Sequence, residues 1–299
     1  MRDGCTPDGW ARKQRMFRKI AVSAGKILLF FGLWGAGIGG AIFAVVQFAG
    51  PHWFDSIWWR MAVEAGGAAA GLVALVLIAR RIDKRGFDTI GLPPARAARD
   101  LLAGTVLGIV IFATPLIILV IGGGAQFAPD YSRFSTAALG ASLLLVFVNV
   151  LDQEFLLRSY LFQEIWTRYS ATAAIVVSTI VFVAVHASAI SKGINGAIVG
   201  VNVTLAGIVL GIAYLRSRAL WLPIGIHFGW NVVEGPVLGI AVTGAHPGED
   251  SWHAFAFHGA ALWTGGNMGI EGGVAGLVGP LVGIALVWLL YRRKAPSLR

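Results

Sequence analysis

The chain has 299 residues, 57% hydrophobic and 13% charged. Soluble globular chains carry about 25% charged residues, so a water-facing surface around a soluble core is excluded, and the apolar stretches longer than about 18 residues read as membrane spans. A net charge of +9 raises nucleic acid, anionic lipid or membrane topology as its cause, and the single cysteine, Cys5, excludes an internal disulfide or a cysteine-built zinc site.

Eight spans are predicted in chain order: 27–49, 61–79, 101–122, 136–167, 171–190, 196–215, 219–240 and 272–291. The expected fold is all-α, a polytopic transmembrane helical bundle of about eight spans with both termini cytoplasmic. Residues 1–26 read as a basic cytoplasmic tail, 27–291 as the membrane domain and 292–299 as a second basic tail. The first span is too long and glycine-rich for a cleaved signal segment, and no small-residue cleavage site closes it, so it is read as retained. The fourth exceeds what a bilayer requires. Its polar last turns, Arg158 to Arg168, are expected to project beyond the membrane or into the bundle. Segment 241–270 reads as a long external loop rich in glycine and aromatic residues, whose irregularly spaced His246, His253 and His258 suit a surface better than a metal site.

The basic residues test this topology. With the N-terminus inside, seven Lys/Arg lie in the tail to Lys26 and six in the 80–99 loop (Arg80, Arg81, Lys84, Arg85, Arg96, Arg99). Arg158, Arg168, Arg216, Arg218 and four at the C-terminus (Arg292, Arg293, Lys294, Arg299) complete 21 of 24 on one side, leaving only Arg60, Arg133 and Lys192 outside. That is a strong positive-inside bias. The charge is therefore topology, the bilayer is the partner it implies, and no compact basic domain remains to bind nucleic acid. Glycine pairs at small-xxx-small spacing (Gly35/Gly39, Gly67/Gly71, Gly207/Gly211, Gly272/Gly276, Gly279/Gly283) predict close helix packing within the bundle.

Ionisable residues inside spans are costly and mark candidate sites. Span four holds Asp152, Gln153, Glu154 and Arg158, span five His186, and span seven His227, Asn231 and Glu234. Glu64, near the outer end of span two, is expected at the interface. Glu154/Arg158, Phe182/His186 and His227/Asn231 are each i, i+4 pairs sharing a helix face, and Glu234, seven residues past His227, is expected on that same face. Spans four and five turn near Arg168 to Ala171. Glu154 and His186 then stand level, each about 24 Å from that turn at 1.5 Å rise per residue, and span seven can bring His227 and Asn231 to the same cavity. No HExxH helix or GxSxG elbow is present. A carboxylate with an imidazole can activate water, and a second imidazole with an amide can hold an oxyanion, which together suit amide hydrolysis. A divalent metal on His186 and His227 stays open, and the sequence requires no cofactor.

The order Gln153-Glu154-x-x-x-Arg158, Phe182-x-x-x-His186, His227-x-x-x-Asn231 resembles the CPBP family, the CAAX proteases and bacteriocin-processing enzymes also called Abi, whose motifs are EExxxR, FxxxH and HxxxN. Stretches 87–94, 215–231 and 265–273 look like bacterial members, and the resemblance covers roughly 80–291. It implies an intramembrane endopeptidase in a bacterial cytoplasmic membrane acting on a hydrophobic or prenylated peptide or a membrane protein. It further implies that His186 assists the water-activating carboxylate, that His227 and Asn231 form the oxyanion pocket, and that Glu154 and Arg158 match the second Glu and the Arg of the first motif. The family's first Glu is Gln153 here, an amide that can orient a water but not deprotonate it. Asp152 and Glu154 lie about 100° to either side, and Glu234 is a third candidate. Activity then turns on whether one of them reaches a water beside His186. Otherwise the chain is a catalytically silent immunity or scaffold protein. A channel or transporter is disfavoured because the polar groups sit on three helices and form no path between the faces.

Overall fold

The computed structural model describes residues 7–86, 89–245 and 252–291; Cys5, Phe87, Asp88, His246 and the C-terminal Arg292, Arg293, Lys294 and Arg299 lie outside them. The chain is an all-α bundle. Helix α1 (Pro7–Ala49) already contains the basic residues from Arg12 to Lys26 in its first half, so they are helical and continuous with the first span. Next come α2 (Ile57–Leu77), which widens into a π turn over Ile78–Ile82, and α3 (Ala97–Ile121). Helix α4 (Thr136–Glu154) passes through a π turn (Phe155–Ser159) into α5 (Tyr160–Arg168). The stretches Trp10–Ala49, Ile57–Ile82, Pro94–Ile121, Thr136–Arg168 and Gly193–Ser217 are long and apolar enough to cross a membrane. The last of these contains α8 (Gly193–Ser217). Side chains on the outside of the bundle match that solvent: Phe43, Val106, Ile117, Ile180 and Leu281 are all more than half exposed.

The other three expected spans are broken helices. The fifth is α6 (Ala171–Val185) followed, after His186, by the single turn α7 (Ala187–Ile190). The break has a local cause. The His186 ring nitrogen Nδ1 lies 2.7 Å from the Phe182 carbonyl, which the backbone amide would otherwise use, and the amide shifts to the Val183 carbonyl. The seventh is α9 (Trp221–Val232), extended by a π turn over Val233–Val237 that contains Pro236. Proline has no N–H for the α-helical ladder, so the register changes there. The eighth is α11 (Val278–Leu290), preceded by short 3-10 turns between Gly266 and Leu277 in a glycine-rich stretch.

Segment 241–270 is folded where described, contrary to a plain loop. Strand β2 (His253–Phe257) pairs antiparallel with β1 (Ala125–Asp130), Ala125 opposite Phe257 and Phe127 opposite Phe255, and the single turn α10 (Ala261–Thr264) follows. The Phe127 and Phe255 rings meet edge-on at 5.6 Å, and Tyr131 stacks on Trp252 at 5.1 Å.

Two seams position the interior. Helices α3 and α9 cross backbone to backbone. A methyl group at Gly104 or Gly108 would collide with the carbonyls of Leu222 and Ile226, and one at Gly225 or Gly229 with those of Leu101 and Thr105. Such small-residue faces allow close approach in lipid. Helices α2 and α4 run side by side, with Gly67 against the Asp152 carboxylate and Gly71 against Phe155. The basic loops gather at one end: Lys19 donates to the Arg168 carbonyl, Lys26 pairs with Asp83, Arg85 donates to Gln163 and Arg96 to the Ser217 carbonyl. Strands β1 and β2 and the exposed Phe54, Trp58 and Trp59 lie at the other end, as interfacial aromatic residues do.

Candidate active site

A cavity of about 280 Å³ lies among α2, α3, α4, α6, α8, α9 and the Val242–Ala245 turn. Its wall includes Gln153, Phe182, His186, His227 and Asn231, with aliphatic side chains such as Leu145, Val203, Leu210 and Ile226 between them. The three sequence pairs therefore converge. Gly225 and Gly229 are taken by α3, and His227 and Asn231 follow each of them by two positions, about 200° round the helix. Seating the glycines on α3 turns the imidazole and the amide away from it.

Glu154 and Arg158 lie directly behind this wall and are fully buried. Glu154 Oε1 accepts from Arg158 Nη1 at 3.0 Å and from His227 Nδ1 at 2.9 Å. An unpaired charge at this depth costs several kcal/mol, by order of magnitude; the guanidinium and carboxylate neutralise each other, and the carboxylate fixes the His227 ring. With Nδ1 donating to Glu154, Nε2 is the nitrogen left for chemistry. His186 is held in a parallel way: Nδ1 donates to the Phe182 carbonyl at 2.7 Å, leaving Nε2 with its lone pair.

Phe182 ties these groups together. The Arg158 guanidinium lies over its ring at 4.5 Å, and His186 and His227 meet the ring edge-on at 4.7 and 5.8 Å. A cation over an aromatic face and edge-on contacts between aromatic rings are both favourable quadrupole arrangements. The phenylalanine of the second motif therefore separates the ion pair from the cavity while orienting both histidines.

Two expected carboxylates are elsewhere. Asp152 faces α1 and α2, where its Oδ1 accepts from Trp34 Nε1 at 2.7 Å, and it is not part of the cavity wall. Glu234 does not share the His227 face. The π turn over Val233–Val237 advances less per residue than an α-helix, so Glu234 falls short of that face and accepts from Trp230 Nε1 at 2.8 Å, fully buried and beside Gly269. Gln153 Nε2 donates to Asn149 Oδ1 at 2.9 Å, and its Oε1 has no hydrogen-bond partner among the described residues.

The cavity also holds groups the sequence did not single out: Asn149 on α4, and Glu271, which accepts from the Thr243 amide at 2.7 Å. Glu64, expected at the interface, is half-buried in the cavity wall, with Arg60 one turn away. Asn149 carried no signal beyond its polarity, and Glu64 only that of a carboxylate inside a span. Among the described residues no group of three or more His, Cys, Asp and Glu side chains is gathered that could hold a metal ion.

No curated protein and no solved structure matches the chain significantly. Residues 135–233 match the family model described as type II CAAX prenyl endopeptidase Rce1-like. That stretch runs from the start of α4 to the end of α9 and contains Gln153, Glu154, Arg158, Phe182, His186, His227 and Asn231. The likeness to the Rce1-like CAAX prenyl endopeptidase family thus covers the stretch in which the three motifs are brought to one cavity, inside a bundle of membrane-spanning length.

Proposed function

We propose that the chain is an intramembrane endopeptidase of the CAAX-protease type, hydrolysing a peptide bond of a hydrophobic or prenylated peptide or of a membrane protein. The observation that carries this is the His227 imidazole, held by Glu154 at 2.9 Å in the wall of an apolar cavity that also presents His186 and Asn231. His186 Nε2 can assist the carboxylate that takes the proton of a water, and Gln153 Oε1 can orient that water. A protonated His227 donates from Nε2 with Glu154 taking its other N–H; together with the Asn231 amide this makes a two-donor pocket for the oxyanion. The aliphatic wall suits an apolar substrate and excludes bulk water. A purified sample should cleave an internally quenched farnesylated CAAX peptide. His186→Ala and His227→Ala should each lower kcat by about 10²-fold or more. Unchanged rates in both variants would remove the reading.

The basic end is read as cytoplasmic in a bacterial cytoplasmic membrane, with both termini there. The cavity reaches exposed Arg60, which stands near the start of α2 at the end of the bundle opposite the basic loops. A substrate then enters from the non-cytoplasmic side. In a Cys5→Ser background, Ser132→Cys should react with a membrane-impermeant maleimide in intact cells and Ser170→Cys only after permeabilisation. The reverse pattern inverts the topology.

A second reading, a catalytically silent member serving as an immunity or scaffold protein, is favoured by one observation, the amide at Gln153 where the family has a carboxylate. It predicts no cleavage by the chain and cleavage on Gln153→Glu.

A further inference from the structure

Helix α2 supplies a carboxylate at the place where α4 lacks one. Residues 64, 67 and 71 lie on one helix face at i, i+3 and i+7. Gly67 abuts Asp152 and Gly71 abuts Phe155, so this face is the one α2 turns to α4. The two helices run in the same direction, and stepping back three residues from the Gly67/Asp152 contact brings Glu64 to Asn149. The side chains agree. Asn149 faces the Glu64 carboxylate, and Asn149 Oδ1 accepts from Gln153 Nε2 at 2.9 Å. Glu64, Asn149 and Gln153 thus form a continuous polar chain along the wall, all three bordering the cavity that holds His186 and His227.

We propose that Glu64 is the water-activating carboxylate of this protein, acting from α2 in place of the missing motif glutamate. The inference rests on the peptidase reading and names its base. Asp152, Glu154 and Glu234 are bound to Trp34, to Arg158 and His227, and to Trp230, and none of the three borders the cavity. Glu271, the other carboxylate in the wall, is turned to the Thr243 amide. Glu64 is the one whose neighbours are the Gln153 amide chain and a cation, Arg60.

In the reaction the Gln153 Oε1 accepts one O–H of the water and the Glu64 carboxylate takes the proton of the other. The water oxygen bonds to the carbonyl carbon and the carbonyl electron pair moves to oxygen, facing His227 and Asn231. Collapse of this intermediate breaks the C–N bond, and the proton held by Glu64 passes to the departing nitrogen. The products are a carboxylic acid and an amine. Asn149 acts as a positioning residue, setting the distance between Glu64 and Gln153.

The test moves the carboxylate. Full-length protein in nanodiscs is assayed with the farnesylated quenched peptide. Glu64→Gln should lower kcat by about 10²-fold or more with KM changed little. Glu64→Gln combined with Gln153→Glu should recover kcat to within about tenfold of the starting protein, because the base returns to the family position. A purely structural role for Glu64 cannot produce that recovery. Thermal unfolding accompanies each variant, and Glu64→Asp, which keeps the carboxylate, serves if Glu64→Gln does not fold. Full kcat in Glu64→Gln overturns the proposal. A silent starting protein that gains activity on Gln153→Glu also overturns it while leaving the peptidase scaffold standing. Silence in both overturns the peptidase reading with it.

Discussion

Helices α4 and α9 each carry a polar cluster through an apolar environment, and each leaves the α-helical register within a few residues of it, with opposite results. In α4 the π turn begins at Phe155, after Glu154, and includes Arg158; the pair stays aligned and the two charges meet at 3.0 Å. In α9 the π turn begins at Val233, after Asn231, and carries Glu234 off the His227 face to Trp230. One wide turn therefore gathers a cluster and the other divides one. The difference lies in where the turn falls relative to the polar spacing. It assigns the two buried glutamates different work: Glu154 orients His227, while Glu234 pins Trp230 and the loop around Gly269 and Glu271.

The largest break in this comparison should come from Arg158→Met. It leaves the Glu154 carboxylate buried with only His227 as partner, and the loss of one member of a buried pair costs about 3–5 kcal/mol. A marked fall in the melting temperature of the detergent-solubilised protein is expected, with partial recovery when Glu154→Leu is added. An unaltered melting curve for Arg158→Met would show that the pair contributes little. Next in size, Gly229→Val on the opposite side of α9 overpacks the α3 seam and should cost about 1–3 kcal/mol. It should also lower kcat, because His227 moves with the helix; loss of stability at full kcat would separate the seam from the site. The smallest effect is Glu234→Gln. The amide still accepts from Trp230 and cannot carry a charge opposite Glu271, so stability should hold or rise by up to about 1 kcal/mol. A clear drop in the unfolding midpoint would mean that the carboxyl group of Glu234 is required.

The i, i+4 pairs were legible in the sequence because each sits within one helix, where spacing alone sets the face, and because so few polar residues share those spans. Glu154, Arg158, Phe182, His186, His227 and Asn231 were found in this way. Glu234 was misplaced because a period of 3.6 was carried past Val232, after which the π turn that contains Gly235 and Pro236 begins. Glu64 was passed over because one carboxylate near a span end looks like an interfacial residue until the neighbouring helix is known; only the α2–α4 contact distinguishes the two. The pairing of β1 with β2 joins residues more than a hundred positions apart, a contact no local pattern announces. The glycine pairs Gly104/Gly108 and Gly225/Gly229 have the spacing of the pairs that were noticed. Their significance lay in facing each other, which is a property of the fold.

That glycine crossing has a mechanical consequence. Where α3 meets α9 there are no side chains to change rotamer and no slack between the two backbones, so the joint behaves as a weld. The histidine and asparagine on α9 are mounted on a part that can neither swing nor roll without forcing peptide carbonyls together. On the opposite rim of the cavity the chain is interrupted, at the break between α6 and α7 at His186 and at the turn from Val242 to Ala245. The molecule thus divides into a fixed jaw, which carries His227 and Asn231, and an interrupted one, which carries His186.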